Sequence, residues 1–541
     1  MRLPKRTTFA LLLFLLCLNY LVRYPRTPHE LGYDAFVFHG MTLSLTEAGY
    51  AKWIIHPLSY LGLYPLSHPS GSMFTLGAFS LTSGLPIEGA ILLFDMVVVL
   101  AGLLISFVLA MEIRRDEVLA LLVAALFSLA PRYVTSLLWE VPTRTLFTTL
   151  VPLVVWVLLR WHRSKDLRFL ALAPVTLFLM MSAHRLTFLM SILLIAFVLT
   201  ALILVTAQTL RIRYASQLLS PAFRRATNVG VILSIIIVAS TLLVLGGVLA
   251  SYQTGQLGLG SGILSQVSNL GVSLTRSAGF LIPLLPLGAL AVYNMRAKGL
   301  KEAFLLMILV VLIPTLSLRQ YTGYYIVPFT ALFIGLGLWY IVGRLRRRVT
   351  RVAVAAAALA VSIISVQVVV GFDLQSEPYI DDQSYAHAVY ILHTTDGTIV
   401  ANDGVLGSKI YAIAGAAYLP VGGATTAFQS PEVLIFGFVD PNSLRIVQIP
   451  IAELTIESDS PFVLLGVQAE QDWAEMLDRP LESTSSRVLR VYDPTYLLEL
   501  RATDGGYFAY GRRYDSPFIS SVHSSSYKVF EIQGQALWYL R

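Results

Sequence analysis

The residues of this chain best suited to chemistry are two carboxylates in apolar surroundings. Asp34 lies in the stretch GYDAFVFHG (32–40) five residues before His39, and Glu140 lies in LLWEVPTRTLF (137–147). A carboxylate in such a place can accept a proton from a hydroxyl or bind a cation. Structural interpretations stay open for all three residues: Asp34 as a helix cap, His39 as an interface residue and Glu140 as a solvated ion-pairing group. Because Asp34 and His39 would lie about 140° apart on a helix, they do not form a dyad.

Arginine and histidine near the ends of apolar runs form a second group of candidates. Arg319 and Tyr321 lie in SLRQYTGYYIVP (317–328), and the adjacent pair His184 and Arg185 lies in MMSAHRLTFLM (180–190). A guanidinium offers forked donors and a permanent charge, which suit a phosphate. The alternative for each arginine is a side chain that reaches up to the lipid headgroups.

Asp95, in ILLFDMVVVL, is the acid deepest inside an apolar run. Charged residues within membrane segments are rare and often functional. A structural pair with a neighbouring helix and a part in substrate passage are both compatible with its position.

The composition places these residues in a membrane protein. Of 541 residues, 56% are hydrophobic and 13% are charged, and the mean hydropathy is +0.70. Soluble domains carry about 25% charged residues. The single cysteine, Cys17, excludes an intramolecular disulfide and a metal site built from cysteines.

Apolar runs of membrane-spanning length predict a polytopic α-helical bundle. We predict about eleven spans, at residues 8–22, 86–111, 117–131, 143–159, 168–183, 186–206, 229–250, 278–293, 303–318, 326–343 and 352–371. A further partial helix is predicted at 71–84.

The distribution of lysine and arginine predicts the orientation of the bundle. Loops on the N-terminal side hold 21 of these residues and the opposite loops hold eight, so the N-terminus should lie inside and the C-terminus outside. The first outer loop then runs from 23 to 85. Its apolar positions suggest an amphipathic helix that lies at the membrane surface and ends at Gly49.

The chain from residue 372 differs in charge from the membrane part. It contains 21 acidic and 10 basic residues, so the overall positive charge reflects topology and gives no reason to expect nucleic-acid binding. Predicted strands at 398–403, 461–468 and 526–534 alternate with predicted helices at 384–393 and 406–415. We therefore predict a membrane domain over 1–371 and an extracytoplasmic α/β or α+β domain over 372–541.

Together these features resemble the GT-C superfamily of membrane glycosyltransferases. The resemblance rests on Asp34 and His39 followed by the Pro- and Tyr-rich tract at 60–71, on Glu140 in a second outer loop, and on the RQY motif at 319–321. The chain departs from the oligosaccharyltransferase members of that group. It contains no WWD triplet, its second loop carries one acid where those enzymes have a pair, and the predicted loop at 251–277 contains no acid.

The resemblance implies a reaction and roles for the candidate residues. A sugar would pass from a polyprenyl phosphate or pyrophosphate to a glycan or protein acceptor, hydroxyl or amide, at the outer face of the plasma membrane, with inversion at the anomeric carbon. Asp34 would be the base and Arg319 a phosphate ligand, while Glu140 would contact the acceptor or a divalent cation such as Mg²⁺ or Mn²⁺. His39, Tyr321 and the pair at 184–185 would be further substrate contacts.

Two other functions are compatible with the same sequence. A transporter or flippase of lipid-linked saccharide would also use arginines at the membrane rim, and Asp95 could serve a proton path. A non-catalytic membrane scaffold could bind surface glycans through its acidic outer domain.

Overall fold

The computed structural model describes most of the membrane part and separate portions of the tail. The described residues are 3–49, 69–209, 263–295, 299–315, 322–376, 378–394, 399–401, 404–414, 418–419, 496–500, 527–532 and 535–539. The predicted span at 229–250 and the predicted strand at 461–468 lie outside them.

Helices dominate the described residues. They are α1 (Lys5–Val22), α2 (Tyr33–Ala48), α3 (Gly71–Ser83), α4 (Ile87–Ile113), α5 (Glu117–Ser128), α6 (Pro131–Thr135), α7 (Thr143–Ser164), α8 (Leu167–Ala183), α9 (Met190–Thr209), α10 (Ile263–Ala278), α11 (Leu285–Tyr293), α12 (Leu300–Thr315), α13 (Thr322–Arg344), α14 (Arg348–Ser376), α15 (Asp382–Thr394) and α16 (Gly404–Ala414). Short 3₁₀ helices cover Arg185–Leu189 and Ile282–Leu284.

Six helices in the described part are long and apolar enough to cross a membrane. They are Lys5–Val22, Ile87–Ile113, Thr143–Ser164, Leu186–Leu204, Gly323–Arg344 and Arg348–Leu374. A seventh span results if the pair Gly271–Ala278 and Ile282–Tyr293, bent by 101°, is counted as one crossing. The chain is therefore a multi-pass membrane protein, and the partial helix predicted at 71–84 is confirmed as α3.

The predicted helix after Asp34 is confirmed, but the prediction that it is amphipathic is wrong, because protein covers it on several sides. Helix α2 ends at Gly49, whose left-handed backbone (φ 74°) closes it as predicted. Its side chains are buried on several sides, with Phe36 and Met41 at 0% exposure. Helix α16 covers one side, so closely that a Cβ at Gly40 would lie 2.3 Å from the ring of Tyr411.

The bundle has two chemically different ends. Helices α4 and α7 are each more than about 30 Å long at 1.5 Å per residue, and they contact each other. At one end Glu112 forms ion pairs with Arg160 (3.4 Å) and Arg163 (2.8 Å), and the Lys301 ammonium donates a hydrogen bond to the carbonyl of Ile113. We call this the basic end. Asp34 lies at the opposite end, which we call the Asp34 end.

Three segments distant in sequence meet at the Asp34 end through backbone hydrogen bonds. Leu31 N donates to Trp139 O (3.2 Å), and Gly32 N donates to Pro378 O (2.9 Å). Ile380 N donates to the carbonyl of Glu30 (3.0 Å). The segment before α2, the loop before α7 and the chain leaving α14 therefore lie on the same side of the bundle.

The described parts of the tail form a mixed sheet with two helices. The strands are β1 (Ile399–Ala401), β2 (Tyr418–Leu419), β3 (Tyr496–Leu500), β4 (Tyr527–Ile532) and β5 (Gln535–Tyr539), in the order β2-β1-β3-β5-β4. β1 pairs in parallel with β2 and β3, and the other pairs are antiparallel. Strands and helices occur where the alternating pattern predicted them at 384–393, 399–401, 406–414 and 527–532.

Candidate active site

Asp34 lies in the first turn of α2 and does not cap it. The N-cap is Gly32, with φ 97° and ψ 123°, and no side chain makes a capping bond there. The structural interpretation of Asp34 as the cap is therefore wrong. A carboxylate in the first turn is still favoured by the helix dipole, and its side chain is 38% exposed, so a ligand can reach it.

Arg144, from the first turn of α7, forms an ion pair with Asp34. One terminal nitrogen, Nη2, donates to Asp34 Oδ2, and the arginine side chain is 29% exposed. The pair joins residues 110 positions apart in the chain. Because both side chains remain partly exposed, an incoming anion could contact Arg144 without dismantling the fold.

Glu140 lies beside the same helix start. A Cβ built on Gly32 would lie 3.1 Å from Glu140 Cγ and 3.3 Å from its Oε1. Glycine is therefore suited to position 32 both by its positive φ and by the close approach of this carboxylate. The structure brings the two predicted acids, Asp34 and Glu140, to one place.

A second arginine extends the site on the side of α13. The Arg132 guanidinium lies 4.5 Å from the ring centre of Tyr324, and that of Arg144 lies 6.0 Å from the same ring. Ser136 Oγ donates to the carbonyl of Arg132 at 2.8 Å and lies 3.2 Å from the Tyr324 hydroxyl, which can donate to it. We call Arg132, Arg144 and Tyr324 the arginine–tyrosine cluster. It places one guanidinium, that of Arg144, against Asp34 and a second, that of Arg132, against the same tyrosine ring.

His39 faces away from this place and pairs with an acid that the sequence analysis did not identify. Its Nδ1 lies 2.9 Å from Oε2 of Glu30, and both residues are buried, at 4% and 0% exposure. Burial raises the pKa of Glu30, and His39 acts in the opposite direction. Next to this pair, His29 contacts Glu88 at 2.9 Å. The structural interpretation of His39 as an interface residue agrees with this geometry.

The other predicted substrate contacts are His184, Arg185, Arg319 and Tyr321, and the side chain of Arg185 lies outside the described part of the structure. His184 precedes the 3₁₀ helix that Arg185 begins, and its Nδ1 accepts a hydrogen bond from the backbone N–H of Leu186 at 3.0 Å. Arg319 and Tyr321 lie outside the described residues.

Sequence reasoning overlooked Arg132, Arg144 and Tyr324 as binding residues. The two arginines lie eight residues before and four residues after Glu140, and Tyr324 follows the RQY motif. That proximity was a usable signal, because acids and cations in one short loop indicate a polar site. Which of them faces α2 depends on contacts across the bundle.

The site could hold a divalent cation only through carboxylates. Asp34 and Glu140 supply two, and the described residues contain no group of three His, Cys, Asp or Glu that could hold a metal ion. Mg²⁺ commonly takes one or two protein carboxylates and completes its shell with substrate phosphate and water. The two acids fit such a weakly held ion.

Comparison with known proteins shows similarity at the level of fold. No family model and no curated protein matches the chain. Among solved structures, the oligosaccharyltransferase AglB of Archaeoglobus fulgidus, in complex with an inhibitory peptide and a dolichol phosphate, has a TM-score of 0.55 at 13% identity, covering 92% of this chain and 69% of that one. The same enzyme with Zn and sulfate also gives 0.55 at 13% identity, covering 90% and 67%. Arabinofuranosyltransferase AftD from Mycobacteria gives 0.49 at 14% identity, covering 100% and 40%. As the sequence resemblance implied, the fold of the chain is similar to that of the GT-C membrane glycosyltransferases.

Proposed function

We propose that the protein is an inverting glycosyltransferase that moves a sugar from a polyprenyl phosphate or pyrophosphate to an acceptor hydroxyl or amide. The observation that carries this proposal is the partly exposed carboxylate of Asp34 paired with Arg144, whose guanidinium shares the Tyr324 ring with that of Arg132. A fold similar to that of AglB, which is known in complex with dolichol phosphate, supports the class of donor.

The arginines would bind the phosphate of the donor. When the bond between the anomeric carbon and the phosphate oxygen breaks, negative charge develops on that oxygen, and nearby cations stabilise it. Arg144 and Arg132 present two such cations without a proton transfer. Arg319, five residues before Tyr324 in the sequence, remains a proposed third phosphate ligand.

Asp34 would accept the proton of the acceptor. Arg144 contacts Oδ2 of Asp34, so the proposal assigns Oδ1 to the acceptor hydroxyl or amide. The acceptor atom attacks the anomeric carbon, the phosphate departs from the opposite side, and the acceptor proton goes to Asp34. One displacement of this kind inverts the anomeric configuration. Glu140 would orient the acceptor glycan or protein.

A divalent cation, Mg²⁺ or Mn²⁺, would be held by Asp34 and Glu140. When bound, it would add positive charge at the donor phosphate. The structure of AglB with Zn and sulfate supports this possibility for the fold. Without this ion, the carboxylate of Asp34 would still accept the proton and the two arginines would still bind the phosphate.

The charge distribution supports an orientation for the site. The basic end carries Arg160, Arg163 and Lys301, and the positive-inside rule assigns such an end to the cytosol. The Asp34 end would then be extracytoplasmic, at the plasma membrane. We propose about eleven spans, a membrane domain over 1–371 and an extracytoplasmic domain over 372–541.

Substitution of Asp34 tests the proposal. The protein reconstituted in lipid is given a polyprenyl-phosphosugar and mixed acceptors, and release of the lipid phosphate is measured. We expect Asp34→Asn to lower turnover by about 10²–10⁴-fold, the contribution typical of a general base. The control is Asp382→Asn, an 85% exposed carboxylate whose loss should leave turnover unchanged. Wild-type turnover in Asp34→Asn would refute the assignment of the base.

A flippase is the second candidate, because α10 and α11 form a broken span. Transporters use discontinuous helices at their binding sites, in corresponding positions of two repeats. The described residues contain one such bent pair. Movement of intact lipid-linked sugar between leaflets, without release of lipid phosphate, would favour the flippase over the enzyme.

A further inference from the structure

Asp95 is a buried acid that the proposed reaction does not use. It lies inside α4 and is 0% exposed. Helix α4 is apolar and long enough to cross a membrane, where a charged side chain is costly. Its surroundings distinguish the alternatives left open by the sequence, a structural pair with another helix or a part in substrate passage.

Asp95 accepts a hydrogen bond from the backbone of the loop that carries Glu140. Trp139 N, in the residue before Glu140, donates to Asp95 Oδ2 at 3.3 Å. Seven residues earlier on the same face of α4, the carbonyl of Glu88 accepts a bond of 3.0 Å from Trp139 Nε1. Helix α4 thus holds Trp139 at two points about two turns apart.

The conformation of Trp139 needs such support. Its φ is 82°, a left-handed value that is rare for a bulky residue and persists only when the surroundings fix it. In addition, its carbonyl accepts the bond from Leu31 N that aligns the segment preceding Asp34. One residue therefore links α4, the Glu140 loop and the entrance to α2.

We propose that Asp95 is a positioning residue that fixes the Glu140 loop beside the start of α2 by accepting the amide of Trp139. The expected effect on catalysis rests on the proposed function, whereas the expected effect on the position of the Glu140 loop does not. What the positioning role requires of residue 95 is a hydrogen-bond acceptor. A part in a proton path would instead require an ionisable group.

Two substitutions of similar size separate these requirements. Asp95→Asn keeps an acceptor oxygen for Trp139, whereas Asp95→Leu removes it and leaves the Trp139 amide without that partner. We expect Asp95→Leu to lower kcat by about tenfold or more with the KM for the donor within about twofold, because the arginine–tyrosine cluster lies on other helices. Asp95→Asn should keep kcat within about threefold.

A second measurement reads the position of the loop without any reaction. In a Cys17→Ser background, Glu140→Cys is labelled with a polar maleimide. We expect Asp95→Leu to change the labelling rate by about tenfold and Asp95→Asn by less than about twofold. Ser106→Cys, buried in the same helix at 2% exposure, reports general unfolding and should remain unlabelled in all variants that carry it.

The outcomes separate the failure of this inference from that of the proposed function. Unchanged labelling at position 140 in Asp95→Leu overturns the positioning role, and so does loss of transfer in Asp95→Asn equal to that in Asp95→Leu. If wild type shows no transfer but labelling changes as expected, the positioning role is supported and the proposed function fails. If Ser106→Cys becomes labelled in Asp95→Leu, the comparison is repeated with Asp95→Ser. The serine side chain is too short for its hydroxyl oxygen to reach the Trp139 amide. We therefore expect Asp95→Ser to change the labelling rate at position 140 by about tenfold, as expected for Asp95→Leu.

Discussion

The contact between α2 and α16 predicts that Gly40→Ala destabilises the protein although alanine favours helices. Gly40 lies in the middle of α2, the helix that begins beside Asp34. A Cβ at this position would lie 2.3 Å from both Cδ1 and Cε1 of Tyr411 and 2.9 Å from its carbonyl oxygen. The contact therefore involves both the ring and the backbone of α16.

The magnitude follows from two opposing effects. In a helix interior, replacing glycine by alanine stabilises by about 1 kcal/mol. Carbon atoms pack at about 3.5–4.0 Å, so the Tyr411 ring must move by more than about 1 Å, and the carbonyl contact requires α16 itself to shift. Overpacking of this kind costs about 1–3 kcal/mol, occasionally more. Because the contact involves the backbone of α16 as well as the ring, the cost should lie in the upper part of this range, at about 2–3 kcal/mol. The net loss in the free energy that holds α16 against α2 is then about 1–2 kcal/mol.

Cysteine labelling at the interface measures this loss. In a Cys17→Ser background, Ala412→Cys lies at a position that is 0% exposed, so it reacts with a maleimide only when the contact opens. A loss of 1–2 kcal/mol should raise the labelling rate about 5–30-fold.

The matched control is Gly89→Ala in α4. Its Cβ would meet its nearest neighbour at 3.8 Å, an ordinary contact, so labelling at 412 should not rise. In a Tyr411→Ala background most of the effect of Gly40→Ala should disappear, because the ring makes the shortest contacts. Equal labelling rates for Gly40→Ala and Gly89→Ala would refute the close packing of α2 on α16.

Two further predictions concern ion pairs outside the spans, each measured as the difference in thermal midpoint between wild type and variant. Burial raises the pKa of Glu30 above its ordinary value of 4.5, so the folded state binds this proton more tightly than the unfolded chain does. The stability that results from this difference is fully present at a pH below 4.5 and is lost as the pH rises through the raised pKa. The stability of Glu30→Gln relative to wild type should therefore increase from pH 4 to pH 7. His39, His29 and Glu88 are present in both proteins, so they do not distinguish the two. A difference in stability that does not change with pH contradicts the prediction. Burial opposes ionisation of Asp381, but the Lys409 ammonium 2.7 Å away and bonds from Ser384 hold the pKa of Asp381 below its ordinary 3.8. Lys409→Met should lower stability by about 1 kcal/mol at neutral pH, and the deficit should shrink as pH falls through the lowered pKa of Asp381; a deficit of equal size at acid pH argues against the pair.

The positions of helices could be predicted from the sequence, because a span needs a long apolar run whatever its neighbours are. Helices α4, α7 and α14 cover the apolar runs at 86–111, 143–159 and 352–371, and Gly49 marked the end of α2. The burial of α2 could not be predicted in the same way. It depends on α16, more than 350 residues later in the chain, and an apolar helix beside a membrane reads the same whether lipid or protein covers it.

The acids of the site could be recognised from residue type, but their partners could not. Asp34 and Glu140 are unusual in apolar surroundings, which the sequence displays directly. Gly32 takes the N-cap because its φ of 97° is open to glycine, and this leaves Asp34 to pair with Arg144 across 110 residues. Distances of this kind arise from tertiary contacts, and no local periodicity encodes them.

The contacts at the Asp34 end imply that the membrane helices alone do not complete the site. The segment before Asp34 is held on one side by Trp139 and on the other by Pro378, and Ile380 binds the carbonyl of Glu30 in the same row. Each bond satisfies a backbone group that would otherwise need water or another partner. Helix α16 then closes over α2 through Tyr411. The position of the carboxylate is therefore set jointly by the first loop, the loop before α7 and the chain beyond α14. A substitution in residues 378–380, far from any candidate catalytic side chain, should for this reason act on transfer through the placement of Asp34.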